Sequence, residues 1–408
     1  MVGARAGSSE PGAKVRAAGS ARARTSTNRA RTSPGRGAAS TGTATGRGTA
    51  SDAEKTPGTP APPGAATGRP VTLTDVAILA GVSQPTASRV LNGSARKPAA
   101  DIVERVRRAA DELGYTPNAH AQALARASTG LLGLVVHDIA DPYFSVVASG
   151  VQRATSERNR QMLLAVSSRD PDTELACVES FVTHRTEAII MVGSRSDTPA
   201  ARRAADRLVG VMSRYRGNGG RVVVVGQAIP DASAVVPDNR GGATALARAL
   251  VTRAGLRDFV LLAGPESLTA AQDRRAGFVA GLTEQGLAPR GVLHGEFTRD
   301  GGYELAQRAV AELRPSTNRP VCMVAANDVM AVGAMTAVRE AGLNIPGDVQ
   351  LAGFDDIPTL RDVSPSLTTV RLPLQEMGLW AVELAVGEPG PPIRTVSGDV
   401  VLRESTAR

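Results

Sequence analysis

Residues 80–92 read AGVSQPTASRVLN, and the first ordered segment of the chain is decided by how that stretch is divided. Apolar residues recur at helical spacing, yet Gly81 and Pro85 stand where one continuous helix would resist them. The conflict disappears if the two residues are punctuation between two helices. Upstream, VTLTDVAILAG (71–81) opens with Thr72 and Asp75 at capping-box spacing and presents Val76, Ala77, Leu79 and Ala80 as an apolar face, and Gly81 ends it. Ser83 then caps a second helix, Pro85 falls in its first turn where the missing N–H costs nothing, and Asn92-Gly93 stops it. A third helix is predicted over 100–113, with Ile102, Val106, Ala109, Ala110 and Leu113 on one side and Gly114 closing it.

Two short helices joined by a Gly-Val-Ser turn form a helix-turn-helix, whose second helix enters the major groove and offers its N-terminal side chains to base edges. Gln84 and Arg89 carry the amide and guanidinium donors suited to bases, Thr86 and Ser88 suit phosphates, and Thr74 and Ser83 are placed for backbone contacts. The competing reading is an ordinary helical hairpin on which Arg89 is merely solvated.

At 408 residues the chain is long enough for two or three domains, and its net charge of +8 suggests a polyanionic partner. Residues 1–69 hold 11 Lys and Arg against 3 Asp and Glu, whereas the remainder holds 36 of each sign, so the excess lies in the tail. That tail is Ala, Gly, Ser, Thr, Pro and Arg with almost no large apolar side chain, and it is expected to be disordered. Its arginines suit salt-dependent, sequence-neutral phosphate contacts; a solvated extension is the simpler reading. Cys177 and Cys322 are the only cysteines, so no disulfide framework or zinc spacing is legible. His120, His137, His184 and His294 show no metal-ligand spacing. With no membrane-length apolar run and no signal-type N-terminus, a cytoplasmic location is expected.

After the third helix comes GYTPNAHAQALARASTG (114–130), where Pro117 blocks helix before it, Asn118 can cap, and an alanine-rich run to Ala127 is too short to be helical alone. From residue 131 the texture becomes LLGLVV, QMLLAV, EAIIMVG, RVVVVG, FVLLAG, VCMVAAND and VQLAGFDD, short apolar strands separated by amphipathic segments, the signature of parallel α/β structure.

VTLTDVAILAGVSQPTASRVLNG, ELGYTPNAHAQALA, GLVVHDIADPYF, PDNRGGA, RRAGF, AANDVMAVGA, IPGDVQLAGFDDIP and PSLTTVR, in that order, resemble the lactose/galactose repressor (LacI/GalR) family of bacterial transcription regulators. The resemblance runs from Val71 to the closing VLRESTA. It implies an all-α helix-turn-helix DNA-binding head and an α/β effector domain like a periplasmic sugar-binding protein, with two Rossmann-like subdomains crossed three times near residues 237, 371 and 395. The expected organisation is tail 1–69, head 70–117, hinge helix and linker 118–130, and effector-binding and dimerisation domain 131–408.

The same resemblance implies a homodimer on double-stranded DNA, a pseudo-palindromic operator, and a hinge that pushes Leu124 into the minor groove, with Asn118 and Ala121 flanking it. The expected DNA-contacting set is Thr72, Thr74, Ser83, Gln84, Pro85, Thr86, Ser88, Arg89, Asn92, Asn118, Ala121 and Leu124. The effector is expected to be a sugar or sugar derivative, held by an aromatic wall of Tyr143 and Phe144, by Arg274, by stacking on Phe297, and by Asn327 and Asp355 forking onto hydroxyls. For Arg274 the alternative is a cleft-rim ion pair, and Asp328 and Asp356 are expected to cap or orient backbone. Departures from the family pattern include Asp141 in DPYF where Asn is usual, Gly226-Gln227 after RVVVVG, and Ala99 in place of a capping Ser.

No Walker lysine follows GGA, and neither G-x-S-x-G nor H-E-x-x-H occurs, so no catalytic residue, metal or cofactor is expected. The function expected is a sequence-specific regulator, most often a repressor in this family. The alternatives are a nucleoid-type protein acting through the basic tail, or a solute-binding protein without transcriptional role. With the chain closing directly after DVVLRESTA, no heptad segment is expected to build a tetramer.

Overall fold

The computed structural model describes residues 69–92, 98–116, 129–313, 320–387 and 393–407. Residues 1–68 of the tail, residues 93–97 and the hinge positions Asn118, Ala121 and Leu124 lie outside the described residues.

Three helices form the head: α1 (Leu73–Ala80), α2 (Gln84–Asn92) and α3 (Ala100–Glu112). Thr72 and Asp75 close a reciprocal capping box at the start of α1. At its end Gly81 turns left-handed (φ 65°), which a side-chain-free residue does without strain. Its N–H donates to Ile78 O and that of Val82 to Ala77 O, so two orphan carbonyls of the last turn are satisfied. Ser83 Oγ accepts from Thr86 N at the start of α2, and α3 begins at Ala99 with no side-chain cap. Val76, Ala77, Ala80, Ala87, Val106, Ala109 and Ala110 make the buried centre, with Leu73, Val82, Ile102 and Leu113 packed round it. Leu79, expected on the apolar face, is 36% exposed instead. At 100° per residue Leu73, Val76, Ala77 and Ala80 cluster on one side of α1, and Leu79 falls well outside their arc.

The remainder comprises two lobes of doubly wound α/β structure. In the first, β1 (Leu131–Val136), β2 (Gln161–Val166), β3 (Ala188–Gly193), β4 (Arg221–Gly226), β5 (Ser233–Pro237) and β11 (Ile393–Val396) form one parallel sheet in the order β11-β5-β4-β3-β1-β2. Alternate residues go to opposite faces: Leu132, Leu134, Ile190 and Val223 join the core on one side, while Val135, Ile189, Met191 and Val222 join Phe181 and Leu208 on the other. Helices α4 (Pro142–Glu157), α5 (Pro171–Thr183), α6 (Pro199–Gly217) and α11 (Leu374–Val386) cover the two faces.

The second lobe carries the parallel sheet β7-β6-β8-β9, made of β6 (Phe259–Ala263), β7 (Gly291–His294), β8 (Val321–Ala325) and β9 (Val349–Ala352). Around it pack α7 (Asn239–Thr252), α8 (Thr269–Thr283), α9 (Arg299–Leu313) and α10 (Asp328–Glu340). A two-stranded antiparallel ribbon of β10 (Thr369–Arg371) and β12 (Asp399–Val401) departs from the all-parallel expectation. The chain passes between lobes after Pro237, after Arg371 and between Val396 and Asp399, close to the three expected positions.

Candidate functional site

On the head, α2 divides into two sides. Ala87 is buried, with Val90 and Leu91 partly so against the head core, whereas Gln84, Pro85 and Arg89 are exposed. With 3.6 residues per turn, Gln84, Pro85, Ser88, Arg89 and Asn92 fall within an arc of about 140° on the outer side. Asn92 Nδ2 donates to Ser88 Oγ (3.0 Å), and the Ser83 and Thr86 hydroxyls pair at 2.8 Å, so these short polar groups stiffen the helix start and end. Arg69, assigned by sequence to the tail, reaches back to the Asp75 carboxylate at 2.8 Å. The hydrogen bonds from Thr72, backbone first, and then Arg69 hold that carboxyl below its usual range. Thr72 and Thr74 are exposed at the start of α1.

Between the lobes lies a cleft lined by residues that follow the carboxyl ends of both sheets: His137 after β1, Ser194 after β3, Gln227 after β4, Asn239 after β5, Phe297 after β7, Asn327 after β8 and Asp355 after β9. This is where open α/β sheets place ligands. Arg274, from α8, is its best-connected member. Nη2 donates to Asp355 Oδ1 (2.8 Å), Nη1 to Asp355 Oδ2 (3.3 Å) and Ala326 O (2.8 Å), and Nε to Asn239 Oδ1 (2.8 Å). Its guanidinium carbon lies 4.0 Å from the Phe354 ring centre. Burial pushes the Asp355 carboxyl up and Arg274 pulls it back. Asn327 caps α10 by accepting from Met330 N (3.0 Å). Tyr143 and Phe144 meet edge to face at 5.2 Å beside His137, and burial raises the Tyr143 phenol. His137 is itself driven down to about 3 by burial and by Arg169 and Arg195, so it is a neutral ring at ordinary pH. Gly193, at φ 150°, leaves the space that ring occupies, since a Cβ there would meet it at 2.3 Å.

One edge of the cleft is closed by a clasp between the lobes. Ser196 and Leu268 pair as an antiparallel bridge, Thr269 N donates to Arg195 O (3.1 Å), and Asp197 N to Ser267 O (2.9 Å). Ser194 Oγ accepts from Ala270 N (3.0 Å) in the other lobe and from Gln227 Nε2 (3.3 Å), while Gln227 Oε1 accepts from Arg195 N (2.7 Å). Gln227, one of the departures from the family pattern, is thereby the brace of this clasp.

Residues 72–118 match the profile of bacterial regulatory proteins of the lacI family, and residues 247–406 that of a periplasmic binding protein-like domain. The HTH-type transcriptional regulator GalR of Escherichia coli (strain K12) is 32% identical over 340 residues, covering 81% of this chain and 94% of its own length. The chain belongs to the LacI family. The HTH-type transcriptional regulator MalR of Streptomyces coelicolor is 33% identical over 351 residues, covering 82% and 96%. The lac repressor dimer bound to operator and the anti-inducer ONPF shares the fold, with a TM-score of 0.72 at 24% identity over 83% of this chain and all of its own. The transcriptional regulator CelR in complex with cellobiose matches with a TM-score of 0.57 at 28% identity and the same coverage.

In this LacI-family chain all six expected cleft residues, Tyr143, Phe144, Arg274, Phe297, Asn327 and Asp355, line one cavity. Two of the six are already engaged with one another. Arg274 and Asp355 are bonded to each other, in a buried pair rather than a rim pair, because each would otherwise be an uncompensated charge. Phe297 is 9% exposed and has guanidiniums of Arg169 and Arg274 at 5.6 and 6.0 Å from its centre. Asp328 orients backbone and side chain as expected, accepting from Ile357 N (3.0 Å) and Thr369 Oγ1 (2.6 Å). Asp356 does not: it ion-pairs with Arg371 (2.6 Å) and Arg403 (2.7 Å) and so ties the antiparallel ribbon to the lobe. Sequence reasoning missed His137, Arg169, Ser194 and Asn239. Among the described residues no group of three or more His, Cys, Asp or Glu could hold a metal, and no helix is long and apolar enough to cross a membrane.

Proposed function

We propose that this LacI-family chain is a sequence-specific DNA-binding transcriptional regulator, acting as a repressor, whose operator affinity is set by a carbohydrate-class effector bound between the lobes. The observation that carries the reading is the exposed Gln84–Arg89 side of α2 on a head whose turn is locked by Gly81. Such a face fits the major groove and supplies a bidentate guanidinium and an amide to base edges. The relatives named above are regulators rather than enzymes, and the reading is of a non-enzymatic cytoplasmic protein.

The proposed division is tail 1–69, head 70–117, hinge 118–130 and effector domain 131–408. Thr72, Thr74, Ser83, Pro85, Thr86, Ser88 and Asn92 would contact the DNA backbone or support the helix that does, and Asn118, Ala121 and Leu124 would act in the hinge. Ordering about ten hinge residues costs roughly 1–2 kcal/mol each in backbone entropy, so the hinge folds only with DNA and a second hinge beside it, and a modest change in lobe geometry can decide the outcome. The homodimer this requires is measurable by light scattering at micromolar concentration; a monomer or a tetramer there contradicts it.

Genome-wide mapping of bound DNA supplies the operator for a direct test. Arg89→Ala should then weaken binding to the mapped site by about 1–3 kcal/mol while ligand affinity is unchanged. Equal affinity of the wild type for mapped and random DNA in a salt titration would sink the regulator reading in favour of tail-driven, sequence-neutral binding.

A further inference from the structure

The cleft does not end at the clasp. A second chamber adjoins it and shares with it His137, Arg169, Ser194 and Leu268. Three arginines line this second chamber, Arg169, Arg195 and Arg202, against two carboxylates, Asp170 and Glu174. Both carboxylates are already engaged. Asp170 caps α5, accepting from Thr173 N (2.8 Å) and Thr173 Oγ1 (2.6 Å), and Glu174 pairs with Arg195 (3.3 Å). Arg169 and Arg202 have no carboxylate within 4 Å among the described residues.

Arg169 sits at the junction by construction. Ser168 and Arg169 both adopt left-handed backbone, φ 52° and 60°, a conformation residues with side chains seldom accept and which clusters at ligand clamps. The turn is pinned by Ser167 N donating to Val136 O and Ser168 N to His137 O, both at 2.9 Å. From there Arg169 spans the lobes: Nη1 donates to Phe297 O (3.2 Å), and the guanidinium lies over the Phe297 ring. Burial works against its charge and holds it below the usual arginine value, and the carboxylates of Asp141, Asp138 and Glu296 only partly offset that. Neutral His137 beside it adds neither attraction nor repulsion. A guanidinium drawn partly out of water with no contact anion is the arrangement that gains most from an arriving one, through short bidentate charge-assisted hydrogen bonds.

We infer that the effector is an anionic carbohydrate, its ring and hydroxyls in the cleft and its carboxylate or phosphate on Arg169 at the mouth of the second chamber. The inference rests on the proposed effector role of the cleft and narrows the ligand class within it. A ring held in the cleft beside Phe297 would set such a substituent near the guanidinium that already covers that side chain.

Calorimetric titration of the full chain with neutral sugars and their anionic counterparts tests this: D-glucose against D-glucuronate and D-glucose 6-phosphate, and D-galactose against D-galacturonate. At least one anionic compound should bind tenfold or more tightly than its neutral parent, and whether uronate or phosphate wins identifies the group. Arg169→Met should erase that preference, bringing the anionic compound and its neutral parent within threefold of each other, and Arg169→Lys, which keeps the charge, should retain part of it. Neutral sugars binding as well as their acids, or a preference that survives Arg169→Met, overturns the inference and leaves the cleft reading standing. Binding of none of the compounds to the wild type overturns both.

Discussion

Arg274→Met removes the cation from the most buried ion pair in the molecule's cleft, and the size of the effect follows from what it strands. The Asp355 carboxylate, 3% exposed, loses the one salt-bridge partner it has among the described residues, and Ala326 O and Asn239 Oδ1 lose a donor each. Breaking a buried pair from one side costs about 3–5 kcal/mol, a large part of the roughly 5–15 kcal/mol that separates a folded domain from its unfolded chain. Asp355→Asn should cost a similar amount because it leaves Arg274 charged and unmatched. The double variant buries no charge, so its loss should resemble that of one single variant, and the coupling energy should reach about 2 kcal/mol or more. Urea unfolding followed by circular dichroism on all four proteins measures the cycle. A pH series adds a sign test. Burial raises the Asp355 carboxyl and Arg274 lowers it, so without Arg274 the folded-state value rises further. A carboxyl raised in the folded state destabilises it once ionised and is harmless below its unfolded value. The Arg274→Met deficit should therefore shrink as pH falls from 7 towards 4. Additive single losses, or a deficit that grows on acidification, refute the account of this pair as mutually required charges.

His137 supplies a pH dependence of its own: its folded value of about 3 lies below the ordinary 6.5, so its contribution is complete above pH 6.5 and is lost as pH falls towards 3, amounting to about 2 kcal/mol by pH 5. Proton NMR of its ring should show no titration between pH 5 and 8; a shift centred near 6.5 would contradict its burial. Thr72→Ala removes the cap of α1 and should lower head stability by about 1 kcal/mol, read as faster amide exchange along α1 with no change in the lobes. Ser194→Ala deprives Ala270 N and Gln227 Nε2 of their acceptor, at about 0.5–1.5 kcal/mol per bond. The Ala270 amide should lose protection by a comparable factor, and unchanged protection would show that the clasp is held elsewhere.

What the sequence made legible is what local chemistry decides. Gly81, Ser83 and Pro85 each act within one turn of themselves, so two helices and their junction could be read directly. Leu79 departs from its apolar expectation because the arc of the buried face, and not apolarity alone, decides burial, and it lies outside the side of α1 that Leu73, Val76, Ala77 and Ala80 share. The strands were legible as apolar runs, but their order was not: β11 joins the first lobe's edge from some 160 residues downstream of β5, by pairing Ile393 with Ala234. The ribbon of β10 and β12 was unreadable for another reason, since three residues per strand carry no periodicity.

The cleft residues divide on the same line. Arg274, Asp355 and Asn327 were found through motif resemblance, which names positions but not what those side chains bond to first. Arg169 and His137 carry no motif, and the left-handed turn that aims Arg169 is invisible in SSRDPD. A topological signal was nevertheless present. Asp170-Pro171 reads as a helix start, so the two residues before it occupy a turn at the carboxyl end of a strand, and in an open α/β sheet that edge faces the ligand crevice. Taking the residues that follow each apolar run would have selected His137, Arg169, Ser194, Gln227, Asn239, Phe297, Asn327 and Asp355 together, with no family in mind. Parallel topology therefore predicts the lining of this cleft better than residue type does, because the fold decides which side chains meet there before chemistry decides what they bind.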